Sequence, residues 1–180
     1  MKILSGRLGG RTIEQPPSRS TRPLSEKVRA ALFDVVGDPE DLVVLDAYAG
    51  SGAAGLEALS RGALLVEAIE ANARAARSLQ ANARALDVDA AHILHQQSVE
   101  SWLASPQQQP PSPRYGLIIA DPPYAQLKAD VIGRLAVYLT DTGVLVLSHA
   151  SRLAAPELPS ANLIKTKAYG DTALSFYRRS

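Results

Sequence analysis

Five short apolar runs, at residues 42–47, 64–70, 91–95, 115–121 and 143–149, alternate with stretches of helical period at 53–61, 71–86, 98–104 and 126–140. Strands joined by helix-length crossovers pair in parallel, and the crossover helices must cover both faces of the sheet they connect. The predicted fold class is therefore α/β, a doubly wound Rossmann-like sheet that is mostly parallel. A further amphipathic helix over 25–36 carries Val28, Ala31, Leu32 and Val35 on one side, which suits docking on that domain. The tail alternates over 163–168 and 173–177 about Gly170-Asp171, as two antiparallel strands joined by a tight turn do. With 180 residues, 46% of them apolar, the chain can bury one sizeable core. A single domain over 25–180, preceded by a basic segment over 1–24, is the predicted organisation.

The first strand runs into Asp46-Ala47-Tyr48-Ala49-Gly50-Ser51-Gly52-Ala53-Ala54-Gly55 and then into a helix. Glycines at such a junction let the chain turn tightly and bring backbone N–H groups to a ligand at a helix N-terminus. Gly50, Gly52 and Gly55 also spell the dinucleotide-binding pattern, but a carboxylate stands four residues before the first glycine and no length remains for a substrate domain. No Gly-Lys-Ser/Thr follows, which disfavours a nucleotide-triphosphate loop. The second strand ends in Glu70, where a carboxylate can accept from ribose hydroxyls. Asp46, the glycines and Glu70 would line one crevice.

The fourth strand delivers Asp121-Pro122-Pro123-Tyr124. Neither proline has an N–H, and each restricts its predecessor to extended conformations, so the carbonyls of Asp121 and Pro122 are aimed. The turn offers acceptors together with an aromatic ring. An exocyclic nucleobase amine has two donors to satisfy and belongs to a plane that tyrosine can stack on.

Net charge is +1, with an uneven distribution. Residues 1–30 hold seven Lys/Arg and two Glu, or +5, while residues 31–180 hold twelve Lys/Arg and sixteen Asp/Glu, or −4. Such a segment suits a polyanion, and Arg7, Arg11, Arg19 and Arg22 are its candidate RNA contacts. The absence of cysteine removes disulfides and thiolate metal sites, and His92, His95 and His149 lack metal-ligand spacing, so no metal is expected. No apolar run approaches membrane-spanning length, and a cytoplasmic protein without membrane contact is expected.

Taken together, these motifs resemble the class I S-adenosylmethionine-dependent methyltransferases, and within them the RsmD-type guanine-N2 methyltransferases of small-subunit (16S) ribosomal RNA. The likeness spans nearly the whole chain. It includes Thr21-Arg22-Pro23, the Gly55-Leu56-Glu57-Ala58-Leu59-Ser60-Arg61-Gly62-Ala63 helix, Asp121 to Tyr124, and Tyr169-Gly170-Asp171-Thr172. The resemblance implies S-adenosylmethionine as cofactor, held by Asp46, Tyr48, Gly50, Ser51, Gly52, Glu70, Ser98 and Asp121. It implies a catalytic set of Asp121, Pro122 and Tyr124, with ribosomal RNA, free or within the assembling particle, as the partner of a monomer. It also places the terminal hairpin at the sheet edge. Two positions depart from the pattern: Gln96-Gln97-Ser98 stands where relatives place an acidic or amide acceptor for adenine, and Ser148-His149 where they often carry an acid. Methylation of DNA adenine or a glutamine amide, and a non-catalytic RNA-binding assembly factor, are the alternatives.

Overall fold

The computed structural model describes residues 1–15, 24–108, 112 and 114–180. In chain order come helix α1 (Glu26–Val36), strand β1 (Val43–Ala47), α2 (Ala53–Ser60), β2 (Leu65–Ile69), α3 (Ala73–Ala85) and β3 (His92–His95). Then follow α4 (Val99–Ala104), β4 (Tyr115–Ala120), α5 (Ala129–Ala136), β5 (Leu139–Ala150), β6 (Ala161–Tyr169) and β7 (Thr172–Arg179). The seven strands form one sheet in the order β3-β2-β1-β4-β5-β7-β6. The strands β1 to β5 run parallel, and β7 pairs antiparallel with both β5 and β6. Chain order reverses between β1 and β4, so a crevice opens beyond their C-terminal ends, where ligands of such sheets bind.

Both faces of the sheet are covered, as parallel strands require. One layer joins α1, α2 and α3 through Leu32, Phe33, Leu56, Leu59 and Ala83 to Val44, Val66 and Val146. The other packs α4 and α5, through Trp102, Leu103, Ile132 and Leu135, on Leu45, Ile118 and Leu147. Each such fully buried Leu, Ile or Phe contributes about 1.5–3 kcal/mol. Start signals set the helices: Ser25 accepts the Val28 N–H, Asn72 those of Arg74 and Ala75, and Ser98 that of Ser101.

Two boundaries differ from the sequence pattern. The helix predicted over 126–140 stops at Ala136, and β5 begins at Leu139, pairing with Tyr115 before a register shift brings Val144 opposite Leu117. Tyr138 and Leu139 are buried in the core, and an apolar pair alone does not separate helix from strand. The segment expected as a basic arm over 1–24 is, across its first fifteen residues, part of the domain. Ile3, Leu8 and Ile13 are buried in the α1–α3 layer, and Glu57 of α2 accepts the N–H groups of Leu4 and Ser5 at 2.7 and 3.0 Å. Three apolar residues spaced five apart among glycines and arginines show no period, so composition pointed to charge where packing prevails. Residues 16–23 lie outside the described part.

Candidate active site

After β1 the backbone turns through Tyr48 (φ 67°), Gly50 (φ 59°) and Gly52 (φ 83°) before α2 begins. All three are left-handed, which costs a residue with a Cβ roughly 1–2 kcal/mol and marks a constrained loop. A Cβ at Gly52 would stand 2.8 Å from Leu79 Cγ, so packing as well as backbone demands glycine there. At Gly50 a Cβ would meet nothing within 4 Å, so this glycine serves the backbone and leaves free space beside the loop.

Two carboxylates hold the loop. Asp46 is buried and accepts the Gly55 N–H at 2.9 Å through Oδ2. Burial lifts its carboxyl to about 7, the Gly55 bond opposes that, and the negative charges of Asp121 and Glu70 add to it. Glu70 accepts from Gly50 N–H at 2.7 Å and from Asn72 N–H at 2.6 Å, one on each oxygen. A carboxylate offers about four acceptor positions, so two remain for hydroxyl donors.

Asp121 follows β4, two residues beyond Ile119, the partner of Asp46, and near enough for the two carboxylates to interact by charge. Burial pushes its carboxyl up to about 6, while the Ser148 hydroxyl and the Leu24 N–H donate to it and hold it down. Tyr124 is 39% exposed, so its ring is available, yet its hydroxyl is fixed within hydrogen-bond distance of two others, 3.1 Å from Ser148 Oγ and 3.0 Å from Thr172 Oγ1. The turn therefore presents a carboxylate and an anchored, half-open aromatic ring at the mouth of the crevice.

The structure thus brings Asp46, Tyr48, Gly50, Ser51, Gly52, Glu70, Asp121, Pro122 and Tyr124 to one end of the sheet. Ser98 sits after β3 at the start of α4, where its hydroxyl accepts the Ser101 N–H and donates to Ser101 Oγ; this capping leaves one lone pair for a ligand. Arg7 is exposed at the surface, whereas Arg11 donates to the Ala85 carbonyl at the end of α3. Arg19 and Arg22 lie outside the described residues. Three contributors were not foreseen. Ser148 joins Asp121 to Tyr124, and Thr172 anchors the same tyrosine. Asn82 donates to the carbonyls of Glu14 and Ser51 and accepts the Glu14 N–H, tying the amino-terminal segment to the glycine loop. A polar residue three after Leu79 and four before Leu86, on the buried stripe of α3, was the available signal for Asn82.

A sheet of this order, with a glycine loop, an acid ending β2 and an Asp-Pro-Pro-Tyr turn ending β4, defines a Rossmann-like methyltransferase. The chain belongs to the family described as Conserved hypothetical protein 95, whose model matches residues 1–178. It is 30% identical over 184 residues to the protein of Escherichia coli K12 named Ribosomal RNA small subunit methyltransferase D, covering 99% of this chain and 90% of that one. A solved structure from Escherichia coli superposes with a TM-score of 0.86 at 29% identity, covering 100% of this chain and 98% of the other. One from Thermus thermophilus gives 0.84 at 31% identity, covering 99% of both chains.

Proposed function

We propose that this chain transfers a methyl group from S-adenosylmethionine to the N2 amine of a guanine in small-subunit ribosomal RNA. The observation that carries the reading is the pairing of a raised-pKa Asp121 with an exposed, anchored Tyr124 beside a glycine loop whose Gly50 borders free space. Near-complete coverage of a protein named as a small-subunit ribosomal RNA methyltransferase supports the substrate class.

The residues present fit the cofactor. Glu70 has acceptor capacity for the ribose hydroxyls, the free space beside Gly50 admits a ligand close to the backbone, and Asp46 and Glu70 supply negative charge near a cation. The bound cofactor supplies an electrophilic sulfonium methyl. Asp121 and the Pro122 carbonyl accept the two amine hydrogens, which turns the nitrogen lone pair outward and favours the positive charge that develops on it. The Tyr124 ring stacks on the base, with its plane set by Ser148 and Thr172. A guanine in a loop enters such a pocket at least cost, because little stacking or pairing is lost on extrusion. The reading carries with it a cytoplasmic monomer acting on RNA, free or within the assembling particle.

The test is mass spectrometry of ribosomal RNA from cells with and without the gene, together with methyl transfer from labelled cofactor by the purified chain. A lost N2-methylguanine restored by the purified protein is the expected result. An unchanged nucleoside profile, or transfer to DNA or a glutamine amide instead, overturns it.

A further inference from the structure

We infer that the exposed edge strand β6 of the β6–β7 hairpin is the track along which a single-stranded segment of the substrate RNA runs to the Tyr124 pocket. The inference rests on the function proposed above and adds where the RNA lies.

The register pairs Tyr169 with Thr172, Lys167 with Leu174, and Lys165 with Phe176. Paired residues share a face, so Lys165, Lys167 and Tyr169 stand on the same side of the sheet as Thr172. The Lys165 ammonium lies 5.6 Å from the centre of the Phe176 ring on that side. Thr172 in turn holds the Tyr124 hydroxyl at 3.0 Å, which makes a continuous row from the pocket through Thr172 and Tyr169 to the two lysines. At about 3.3–3.4 Å per residue, Lys165 lies roughly 13 Å from Tyr169 along the strand, a distance of a few nucleotides. Residues 162–168 are exposed throughout, since β6 lies at the sheet edge.

Charge selects a polyanion for this face. Residues 161–180 carry Lys165, Lys167, Arg178 and Arg179 against Asp171, a net of +3. Residues 31–160 carry eight Lys/Arg against fifteen Asp/Glu, a net of −7, so that stretch as a whole disfavours phosphate. In the cationic amino-terminal region, Arg11 is held by the Ala85 carbonyl and Arg29 is buried against Glu57, which reduces what that region offers to RNA. Of the hairpin cations, Arg179 pairs with Asp141 at 2.7 Å, Arg178 is exposed at the end of the hairpin away from Thr172, and the two lysines face solvent along the strand that leads to the pocket. Lysines on an exposed edge also oppose strand pairing with a second copy.

The test compares the parent chain with Lys165→Gln/Lys167→Gln and with Lys165→Glu/Lys167→Glu. Each is measured for RNA binding across a salt series, for KM toward RNA and for cofactor affinity by calorimetry. The Gln pair keeps most of the stem packing over Phe176. Loss of two phosphate contacts should flatten the slope of log affinity against log salt by about 1.4. KM for RNA should rise several-fold in the Gln pair and at least tenfold in the Glu pair, with cofactor affinity unchanged. An RNA KM within twofold of the parent in both pairs overturns the track, as does a parent dimer that either pair dissociates. A parent that binds no RNA and transfers no methyl overturns the proposed function as well, whereas a fully active parent with unimpaired variants overturns the track alone.

Discussion

Replacing Ser148 by Ala should move the pH dependence of methyl transfer, because its hydroxyl is one of two donors that hold the Asp121 carboxylate ionised. Asp121 titrates at about 6, so roughly nine-tenths of the molecules carry the charged form at pH 7. A hydrogen bond to a charged group is worth about 1.5–3 kcal/mol, and one pKa unit is about 1.4 kcal/mol. Loss of the Ser148 donor therefore raises the Asp121 value by about one to two units. At pH 7 the charged fraction falls to between about a half and a tenth, and the rate falls about 2- to 10-fold, recovering by pH 9. The charged and polar groups facing Asp121 are the Leu24 N–H, the Ser148 hydroxyl and, on β1, Asp46. Asp46 is pushed up to about 7 and stands in the proposed cofactor site, so the assay is single-turnover transfer at saturating cofactor, with cofactor affinity followed separately across the same pH range. Thr172→Val supplies the control: it removes a bond to Tyr124 without touching Asp121, and should lower the rate equally at every pH. An inflection that stays near 6 in Ser148→Ala would refute the argument, leaving Ser148 with a purely positional role.

Other outcomes follow from the same contacts. The folded-state pKa of Asp46 is raised above its unfolded value, so stability is lost as pH climbs from about 4 through about 7; the melting-temperature gain of Asp46→Asn should therefore be larger at pH 7.5 than at pH 4.5, and a gain independent of pH would contradict it. Glu57→Ala strips a buried carboxylate from Arg29, Arg61 and two backbone donors, and should cost about 3–5 kcal/mol in urea unfolding; a loss under about 1 kcal/mol would show that residues 1–15 are not anchored as described. Glu70→Gln should weaken cofactor binding about 10- to 100-fold in calorimetry, the scale of a lost charged hydrogen bond, and unaltered affinity would remove Glu70 from the ribose site.

Much of the architecture was legible because parallel strands buried on both faces must be continuous apolar runs, and glycine and proline mark their ends. For the same reason Asp46, Glu70 and the Asp121 to Tyr124 turn could be assigned to one crevice from their places in the chain. What escaped depends on pairs far apart in the chain. Tyr124 meets Ser148 across 24 residues and Thr172 across 48, Leu4 meets Glu57 across 53, and Glu14 meets Asn82 across 68. Ser148 read as a departure from an acidic pattern, yet it supplies a donor to Asp121 that an acid at that position would not supply when ionised. Charge misled in the opposite direction: counting the first thirty residues against the rest concealed a cationic hairpin behind an acidic middle.

The amino-terminal segment and the glycine loop also depend on each other. Helix α2 has eight residues, all buried, and a helix that short has no stability of its own in water. The sheet covers one side of it, and residues 1–8 cover the other through Ile3 and Leu8. On that second side Ser60 would be a buried hydroxyl without a partner, and Glu57, which also pairs with Arg29 and Arg61, would lose two of its donors, a cost of about 1–3 kcal/mol for each group left short. The N–H groups of Leu4, Ser5 and Leu8 meet them, and in the same contacts find acceptors they would otherwise lack. Satisfaction is mutual, so each element stabilises the other. Because α2 begins at Gly52 and Asn82 links Glu14 to Ser51, the first fifteen residues help to position the glycine loop alongside the strand that precedes it.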